Sequence, residues 1–293
     1  MPGKSPSHSS HLGKTLFVRR RFTQLDVFTE TPFLGNPLAV VVDAEDLDPS
    51  QMQSFARWTN LSETTFLLPP SDSSSDYRVR IFTPTEELPF AGHPTLGSAY
   101  AWLASGGSPR RPGLLIQECG VGLVKVRQNG TTLSFEAPAL LRGGPADESV
   151  ILEASESLGI SRSSIQHAAW VDNGPGWLGL MLGSAEEVLA IKPRTMNLTV
   201  GIVGRYPKES PFAYEVRAFY SSGGMTLEDP VTGSLNASIA QWLIGAGLVK
   251  APYIASQGTA IERAGRVHIS TDESGAVWVG GNVVSCVEGT VDI

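Results

Sequence analysis

Two apolar segments lack the polar positions that a surface helix needs. They are GHPTLGSAYAWLASGG, which begins at Gly92, and GSLNASIAQWLIGAG, which begins at Gly233, and neither contains a charged residue. A helix without a polar stripe is buried on all sides, so the pattern predicts two central helices, each enclosed by other elements. Alternating apolar and polar residues in YRVRIF and YEVRAFY predict a strand upstream of each helix.

The two predicted helices belong to a repeated pattern. Tyr77 and Tyr214 each begin a Tyr-x-Val-Arg-x-Phe strand, which a loop and a glycine corner join to the helix. Aligning Tyr77 with Tyr214 and Gly92 with Gly233 requires four additional residues in the second copy. The pattern indicates an internal duplication. It predicts two curved sheets, each wrapped around its own helix, with both helix N-termini facing one cleft.

Helix-capping and turn residues predict further elements of secondary structure. Asp48 is the expected N-cap of a helix that begins at Pro49 and ends near Asn60. The run LIQECGVGLVKVRQ, an Asn-Gly turn and TTLSFEAP predict a hairpin. We interpret ALLRGGPADES, after Pro138, as a loop that crosses to the second half. The predicted organisation is a basic, disordered tail in residues 1–21, an N-terminal domain in 22–138 and a C-terminal domain in 139–293.

Composition narrows the class of partner. The 293 residues are 41% hydrophobic and 17% charged, which suits two globular domains. Five of the 22 basic residues lie in the first 21 positions, so 17 remain against 29 acidic residues. An acidic body argues against nucleic acid, since phosphate binding needs clustered Lys and Arg. A small molecule is the expected partner.

The N-terminal segment contains no apolar stretch long enough for a secretory signal or a membrane span. A mitochondrial presequence remains an alternative, because the segment holds Arg and Ser without acids. Cys119 and Cys286 are too few for a disulfide framework, and the sequence has no Cys/His cluster for a metal. We therefore expect a cytoplasmic protein that does not associate with membranes.

The two glycine corners are candidate anion sites. Helix N-termini present free backbone N–H groups and a partial positive charge, here at Gly92 and His93 in the first half and at Thr232, Gly233 and Ser234 in the second. Ordinary helix capping or packing is the alternative for either corner, for His93 and for the nearby Asp229.

Glu63 is the most informative acid of the first half. It precedes the apolar run FLLP, so burial is expected to raise its pKa toward the range useful for proton transfer. An ordinary acid at the end of a strand is the alternative.

Other motifs fail or stay open. The stretch from Gly174 to Gly179 matches GxGxxG, but Pro175 and Trp177 fill the loop and a strand-like run follows it, which argues against dinucleotide binding. No Walker loop, GxSxG elbow or HExxH motif occurs in the sequence. Gln257-Gly258 with Arg263 is either a ligand-facing turn or a plain hairpin.

Four ordered segments, DVFTETPFLGNPLAVV, NLSETTF, ELPFAGHPTLGSA and EDPVTGS, resemble the phenazine-biosynthesis isomerase-like (PhzF-like) proteins, relatives of diaminopimelate epimerase and proline racemase. The resemblance runs from about Phe22 to the C-terminus. It implies an α+β fold of two similar domains, each a curved, mostly antiparallel, barrel-like sheet around a central apolar helix. It also implies an active site between the domains, no cofactor and a homodimer.

The resemblance also assigns roles. Glu63 matches the glutamate that moves a proton between carbons of a dihydro-hydroxyanthranilate, with His93 and Asp229 as further catalytic residues. The expected substrate-binding residues are Asn36, Gly92, Thr232, Gly233 and Ser234, and the expected substrate is a small carboxylate. The racemase relatives place a cysteine before each glycine corner, where this chain has Ala91 and Thr232, so a two-thiol mechanism is disfavoured.

Two alternatives stay open at this point. An amino-acid or hydroxy-acid epimerase would need a second acid/base group, for which Asp229 is the candidate. A non-catalytic small-molecule-binding or regulatory protein could use the same cleft.

Overall fold

Eighteen strands and five α-helices build residues 17–293, the part of the chain that the computed structural model describes. The strands of the first half are β1 (Arg19–Val27), β2 (Asn36–Val41), β3 (Thr64–Leu68), β4 (Tyr77–Phe82), β5 (Glu87–Leu88), β6 (Leu114–Cys119), β7 (Gly122–Asn129), β8 (Thr132–Glu136) and β9 (Arg142–Pro145). Those of the second half are β10 (His167–Asp172), β11 (Leu178–Leu182), β12 (Val200–Arg205), β13 (Tyr214–Ser222), β14 (Met225–Asp229), β15 (Tyr253–Gln257), β16 (Gly265–Thr271), β17 (Val277–Gly281) and β18 (Val283–Asp292). The helices are α1 (Pro49–Thr59), α2 (Gly92–Ala104), α3 (Glu148–Leu158), α4 (Ala185–Leu189) and α5 (Gly233–Gly245), and short 3₁₀ turns occupy Arg162–Ser164 and Thr259–Ile261.

The pairing of strands repeats between the two halves. In the first half, β2 is parallel to β3, β3 and β5 are antiparallel to β4, and β6 is parallel to β4. In the second half, β11 is parallel to β12, β12 and β14 are antiparallel to β13, and β15 is parallel to β13. The predicted duplication is therefore confirmed in the topology of the sheet.

The repeat extends to the register of individual residues. Ile81 pairs with Leu88 in the first half, and Ala218 pairs with Asp229 in the second. Leu88 and Asp229 therefore occupy equivalent positions, and the four additional residues lengthen the β13–β14 hairpin, whose turn is Gly223 and Gly224.

An arginine–glutamate pair is kept in both copies. Arg80 on β4 binds Glu87 on β5 through two hydrogen bonds of 2.7 and 2.6 Å. Arg217 on β13 binds Glu228 on β14 in the same way, at 2.9 and 2.7 Å. These bidentate pairs fix the hairpin that leads into each central helix.

The last strand of each half pairs with the first strand of the other. The strand β9, which follows β8, pairs with β10, and the strand β18, which follows β17, pairs with β1. β8 and β17 also pair directly, so all strands join in one curved sheet. The domain boundary at residue 138 stays a prediction.

The central helices are buried as predicted. Nine of the thirteen residues of α2 and eight of the thirteen residues of α5 are buried. α2 contacts strands of the first half together with β18, whereas α5 contacts β10, β16 and β17. The predicted α+β fold with a curved sheet and central apolar helices is therefore confirmed. Between residues 17 and 293, no helix is long and apolar enough to cross a membrane.

The predicted tail extends too far. Arg19, Arg20 and Arg21 lie in β1 instead, where acidic partners hold them: Arg19 bonds to Asp292 at 2.9 Å, and Arg21 bonds to Asp43. Residues 1–16 of the predicted tail lie outside the described residues.

Two further segments differ from their predictions. The segment after Pro138 contains β9, because Gly143 and Gly144 pair with β10 without presenting an apolar pattern. The run that was expected to form one strand of a hairpin folds into β6 and β7, with a turn at Gly120 and Val121.

Candidate active site

The N-termini of α2 and α5 touch each other. A Cβ atom added at Gly92 would lie 2.9 Å from Gly233 Cα, and one added at Gly233 would lie 2.9 Å from Gly92 Cα. The N-cap residues Ala91 and Thr232 make no side-chain capping bond, and neither helix has an acidic residue in its first turn. Two partially positive helix ends therefore converge on one place.

Glu63 is brought to this place by the end of α1. Asp48 caps the N-terminus of α1 by accepting hydrogen bonds from Ser50 and Gln51, and the left-handed conformation of Asn60, with φ 55°, ends it. Four residues after Asn60 the chain enters β3, whose first residue, Thr64, is fully buried. Glu63 is thus held at the start of a buried strand, with 16% of its side chain exposed.

Glu63 faces His93, the second residue of α2. Glu63 Oε2 lies 3.5 Å from His93 Nε2, and the histidine side chain is only 6% exposed. Neither atom has a hydrogen-bond partner among residues 17–293. Both are buried polar atoms within contact distance of each other, and buried polar atoms without a hydrogen bond are uncommon in folded proteins.

Burial shifts the pKa values of this pair in opposite directions. Burial and the negative charge of Asp229 raise the pKa of Glu63 from 4.5 to about 8. Burial lowers the pKa of His93 from 6.5 to about 3, and the backbone carbonyl of Pro37, a hydrogen-bond acceptor for the ring, opposes this in part. At neutral pH the pair therefore consists of a largely protonated carboxyl and a neutral imidazole.

Asp229 and Asn36 join the two halves of the chain. Asn36 Nδ2 donates to Asp229 Oδ1 at 3.2 Å and to the Val231 carbonyl oxygen at 2.9 Å. The Thr232 hydroxyl donates to Asp229 Oδ2. Burial raises the pKa of Asp229, and the hydrogen bonds from Thr232 and Asn36 oppose that rise.

Ser234 lies in the first turn of α5, beside a segment whose role the sequence did not reveal. Its hydroxyl accepts a hydrogen bond from Trp177 Nε1 at 3.1 Å, and its carbonyl accepts one from Asn173 Nδ2 at 2.8 Å. Trp177 lies in the stretch that matched GxGxxG, and the structure uses that stretch to hold α5.

Tyr220 and Gln257 also lie near the site, although no sequence motif marks Tyr220 and the sequence left two readings open for Gln257. Burial and the negative charges of Asp229 and Glu63 raise the pKa of Tyr220, which is half-buried on β13. Gln257 is fully buried, bonds to Thr232 and ends β15, which forms a hairpin with β16. The repeat alignment places neither residue at a motif, and only the folded strands bring them here.

The predicted site residues thus converge, and they do so away from two cavities of the protein surface. Two shallow surface cavities, one beside Arg78 and Glu87 and the other beside Tyr77 and Trp102, contain none of the predicted site residues in their walls. Within the described part of the chain, no cluster of three or more His, Cys, Asp and Glu side chains could hold a metal ion. The groups that meet at the site are two carboxyls, an imidazole and two helix N-termini.

Comparisons with known proteins identify the family of the chain. A family model described as "Phenazine biosynthesis-like protein" matches residues 25–289. The chain is 37% identical to "Antisense-enhancing sequence 1" of Schizosaccharomyces pombe, over 92% of this chain and 97% of that protein. It is 33% identical to a trans-2,3-dihydro-3-hydroxyanthranilate isomerase of Pseudomonas fluorescens, over 91% of this chain and 97% of the enzyme.

A solved structure supports the fold alone. A phenazine biosynthesis protein of the PhzF family from Bacillus anthracis superposes with a TM-score of 0.79, at 22% identity. The superposition covers 94% of this chain and all of that one.

Proposed function

Because the chain belongs to the phenazine biosynthesis-like (PhzF-like) protein family and is an isomerase of it, we propose that it moves a proton between carbons of a small carboxylate, with Glu63 as the general acid/base. One observation carries this proposal. A buried carboxyl with an unpartnered oxygen and a pKa of about 8 lies where two helix N-termini meet. Near-neutral pKa values suit a group that must both take and return a proton.

The helix ends supply the electrostatic part of the reaction. A substrate carboxylate or carbonyl binds at the N-termini of α2 and α5, beside Gly92, Gly233 and Ser234, where N–H groups favour negative charge. When a neighbouring C–H bond breaks, its electron pair passes into the conjugated system of the substrate, and the helix ends stabilise the developing charge.

Glu63 carries the proton. Its ionised fraction takes the proton from the first carbon. The same carboxyl, which exchanges its proton with solvent in part of the turnovers, then delivers a proton to a second carbon while the intermediate stays bound. The C–H bond that breaks is thereby replaced by one that forms, and no net acid or base is consumed.

His93 acts as a neutral group beside this carboxyl. The Pro37 carbonyl can only accept a hydrogen bond, and Nε2 is the nitrogen that faces Glu63. We therefore assign the ring proton to Nδ1 and an accepting role to Nε2, which orients the proton of Glu63 or a donor group of the substrate. Asp229, which accepts a hydrogen bond from Asn36, places a negative charge near Glu63.

The first assay uses trans-2,3-dihydro-3-hydroxyanthranilate, the substrate named for the relative from Pseudomonas fluorescens. We expect turnover and, in D₂O, deuterium in the product at the carbon that receives the proton. Glu63→Gln should lower kcat by about 10² to 10⁴, the usual contribution of general acid/base catalysis. Glu209→Gln, at an exposed position, is the matched control and should retain wild-type turnover.

The outcomes separate the parts of the proposal. A folded Glu63→Gln variant with near-normal turnover would refute the role of Glu63. Absence of turnover with this compound, but Glu63-dependent deuterium exchange into another carboxylate, would change the substrate and keep the mechanism. No exchange into any carboxylate would favour a binding or regulatory role.

A two-base epimerase is the weaker alternative. Both oxygens of Asp229 accept hydrogen bonds from Asn36 and Thr232, so Asp229 is poorly placed to exchange a proton with a substrate. An epimerase would invert one carbon, whereas the proposed reaction moves hydrogen between two carbons, and NMR of the product distinguishes these results.

We also propose a cytoplasmic homodimer, on the strength of the family resemblance. Light scattering should then give about twice the chain mass of 31.2 kDa. A monomeric mass at micromolar concentration would contradict the dimer.

A further inference from the structure

The buried side chain of Gln257 ties together the corner that precedes α5. Gln257 is fully buried and uses both ends of its amide. Its Nε2 donates to the Asp229 carbonyl oxygen at 3.1 Å and to Thr232 Oγ1 at 2.9 Å. Its Oε1 accepts from the Thr232 backbone N–H at 3.0 Å and from Asn236 Nδ2 at 2.7 Å.

These partners fix the orientation of the amide and hence the direction of the next hydrogen bond. The Thr232 backbone N–H can only donate, and the Asp229 carbonyl can only accept. The Gln257 amide therefore cannot be reversed without opposing like groups. Since Thr232 Oγ1 accepts from Gln257, its own proton is directed to Asp229 Oδ2.

The other oxygen of Asp229 is fixed in the same way. The Val231 carbonyl accepts one hydrogen of the Asn36 amide at 2.9 Å, which sets the orientation of that amide. The second hydrogen points to Asp229 Oδ1, at 3.2 Å. A proton on either carboxyl oxygen would meet a hydrogen that is already directed at it, so this arrangement favours the ionised form.

The duplication provides an internal comparison for this chain of hydrogen bonds. The position equivalent to Asp229 holds Leu88. The position before the helix holds Ala91 where the second half has Thr232. Because Tyr77 pairs with Gln117 as Tyr214 pairs with Ala255, the equivalent of Gln257 is Cys119.

The first half therefore forms the same corner with none of the three polar side chains, which means that the corner does not need them to fold. We propose that Gln257 is a positioning residue that, through the Thr232 hydroxyl, holds Asp229 ionised and thereby keeps a proton on Glu63. This inference deepens the proposed function and rests on the assigned role of Glu63.

Among the groups around Glu63, Asp229 is the one whose negative charge raises the pKa of Glu63. Glu63 faces His93 on α2, which is neutral, and lies near Asp229 and Tyr220 of the β13–β14 hairpin. The negative charge of Glu228 in turn raises the pKa of Asp229, and Glu228 is itself paired with Arg217 on β13. Losing the charge of Asp229 should therefore make Glu63 easier to ionise.

The test is a direct titration of Glu63 in the ligand-free protein. The chain is labelled with ¹³C at glutamate carboxyl carbons, and the Glu63 signal is identified by its absence in Glu63→Gln. Thr232→Ala and Gln257→Cys install the residues that the first half carries at the equivalent positions. We expect each variant to move the titration midpoint of Glu63 to lower pH by about one pH unit.

Two comparisons separate positioning from a merely structural effect. Thr232→Ser restores the hydroxyl and should return the midpoint to its wild-type value. If Gln257 acts through Thr232, the double variant Thr232→Ala/Gln257→Cys should show no larger shift than Thr232→Ala alone.

Gln117→Leu is the matched control, because Gln117 is also a buried glutamine, but its Nε2 donates to Thr95, which does not bond to a carboxylate. It should lower stability without moving the Glu63 midpoint. An unchanged midpoint in folded Thr232→Ala, or an equal shift in Gln117→Leu, would overturn the proposal. Because no substrate is present, these results do not depend on whether the proposed isomerase reaction is detected.

Discussion

Replacing Glu63 by glutamine should remove a pH dependence of stability that the wild-type chain carries. The folded chain holds a proton on Glu63 up to a pH of about 8, whereas an unfolded chain releases it near the ordinary value of 4.5. Between these values the folded state binds more protons, so the free energy of unfolding falls as pH rises. The stabilisation is fully present below 4.5 and is lost as pH rises through about 8.

The gap between the two values corresponds to about 5 kcal/mol. Only part of it falls in a convenient range. From about pH 6 to about pH 8 the folded carboxyl goes from nearly fully protonated to half protonated, so wild type should lose about 2 kcal/mol relative to Glu63→Gln. His93 contributes little in this range, because its own pKa shift acts between about 3 and 6.5.

The assay is urea unfolding of both proteins at a series of pH values in that range, followed by tryptophan fluorescence. Glu209→Gln, which changes an exposed carboxylate, should run parallel to wild type. If the difference between wild type and Glu63→Gln is also constant with pH, Glu63 has an ordinary pKa, and its role as a proton carrier at neutral pH loses its physical basis.

Three further changes test the frame around the site. Wild type should become more stable relative to His93→Gln as pH increases from about 3 to 6.5, since the imidazole is protonated there only in the unfolded state. Unfolding curves that show no such trend would mean that His93 ionises normally. Gly92→Ala should lower the free energy of unfolding by about 1–3 kcal/mol, because the added Cβ would meet the backbone of α5. Gly245→Ala should be neutral or slightly stabilising, because no atom lies within 4 Å of the added Cβ. Equal effects of the two variants in thermal unfolding would contradict the contact between the helix ends. Arg217→Met should lower the free energy of unfolding by about 3–5 kcal/mol, because the side chain of its partner Glu228 is only 9% exposed and would be left buried without a counter-charge. Arg80→Met should lower it by about 1 kcal/mol or less, because its partner Glu87 is 41% exposed. Similar losses for the two variants would show that burial of the partner does not set the cost.

The fold could be predicted because local patterns agreed with its global symmetry. Charge-free helices after Gly92 and Gly233 indicated buried central helices, and two matching strands indicated a duplicated topology. The elements that were missed carry no such local signal. The strand β9 contains Gly143 and Gly144 and is defined by pairing with β10, and Arg19 resembles a tail residue until its partner Asp292, at the far end of the chain, is known.

The candidate site was predictable only in part, for a related reason. Glu63 and His93 stand at recognisable positions, before a buried strand and at a helix start. Their contact depends on tertiary packing, as does the bond between Asn36 and Asp229, which are 193 positions apart. An apolar neighbourhood predicts that burial raises the pKa of Glu63 and lowers that of His93. The neighbourhood itself could not be predicted, because residues of both halves form it.

The duplicated frame holds an unequal set of functional groups, and this asymmetry bears on the mechanism. Each half supplies a glycine corner and a helix N-terminus, but His93 stands where the second half has Ser234, and Leu88 stands where it has Asp229. A two-base racemase would need comparable proton carriers at the two corners. In the proposed mechanism, Glu63 and His93 of the first half form the pair that exchanges a proton, whereas both oxygens of Asp229 in the second half accept hydrogen bonds. The arrangement therefore favours one proton carrier working against a fixed charge, which suits moving hydrogen along one face of a substrate and not inverting a carbon.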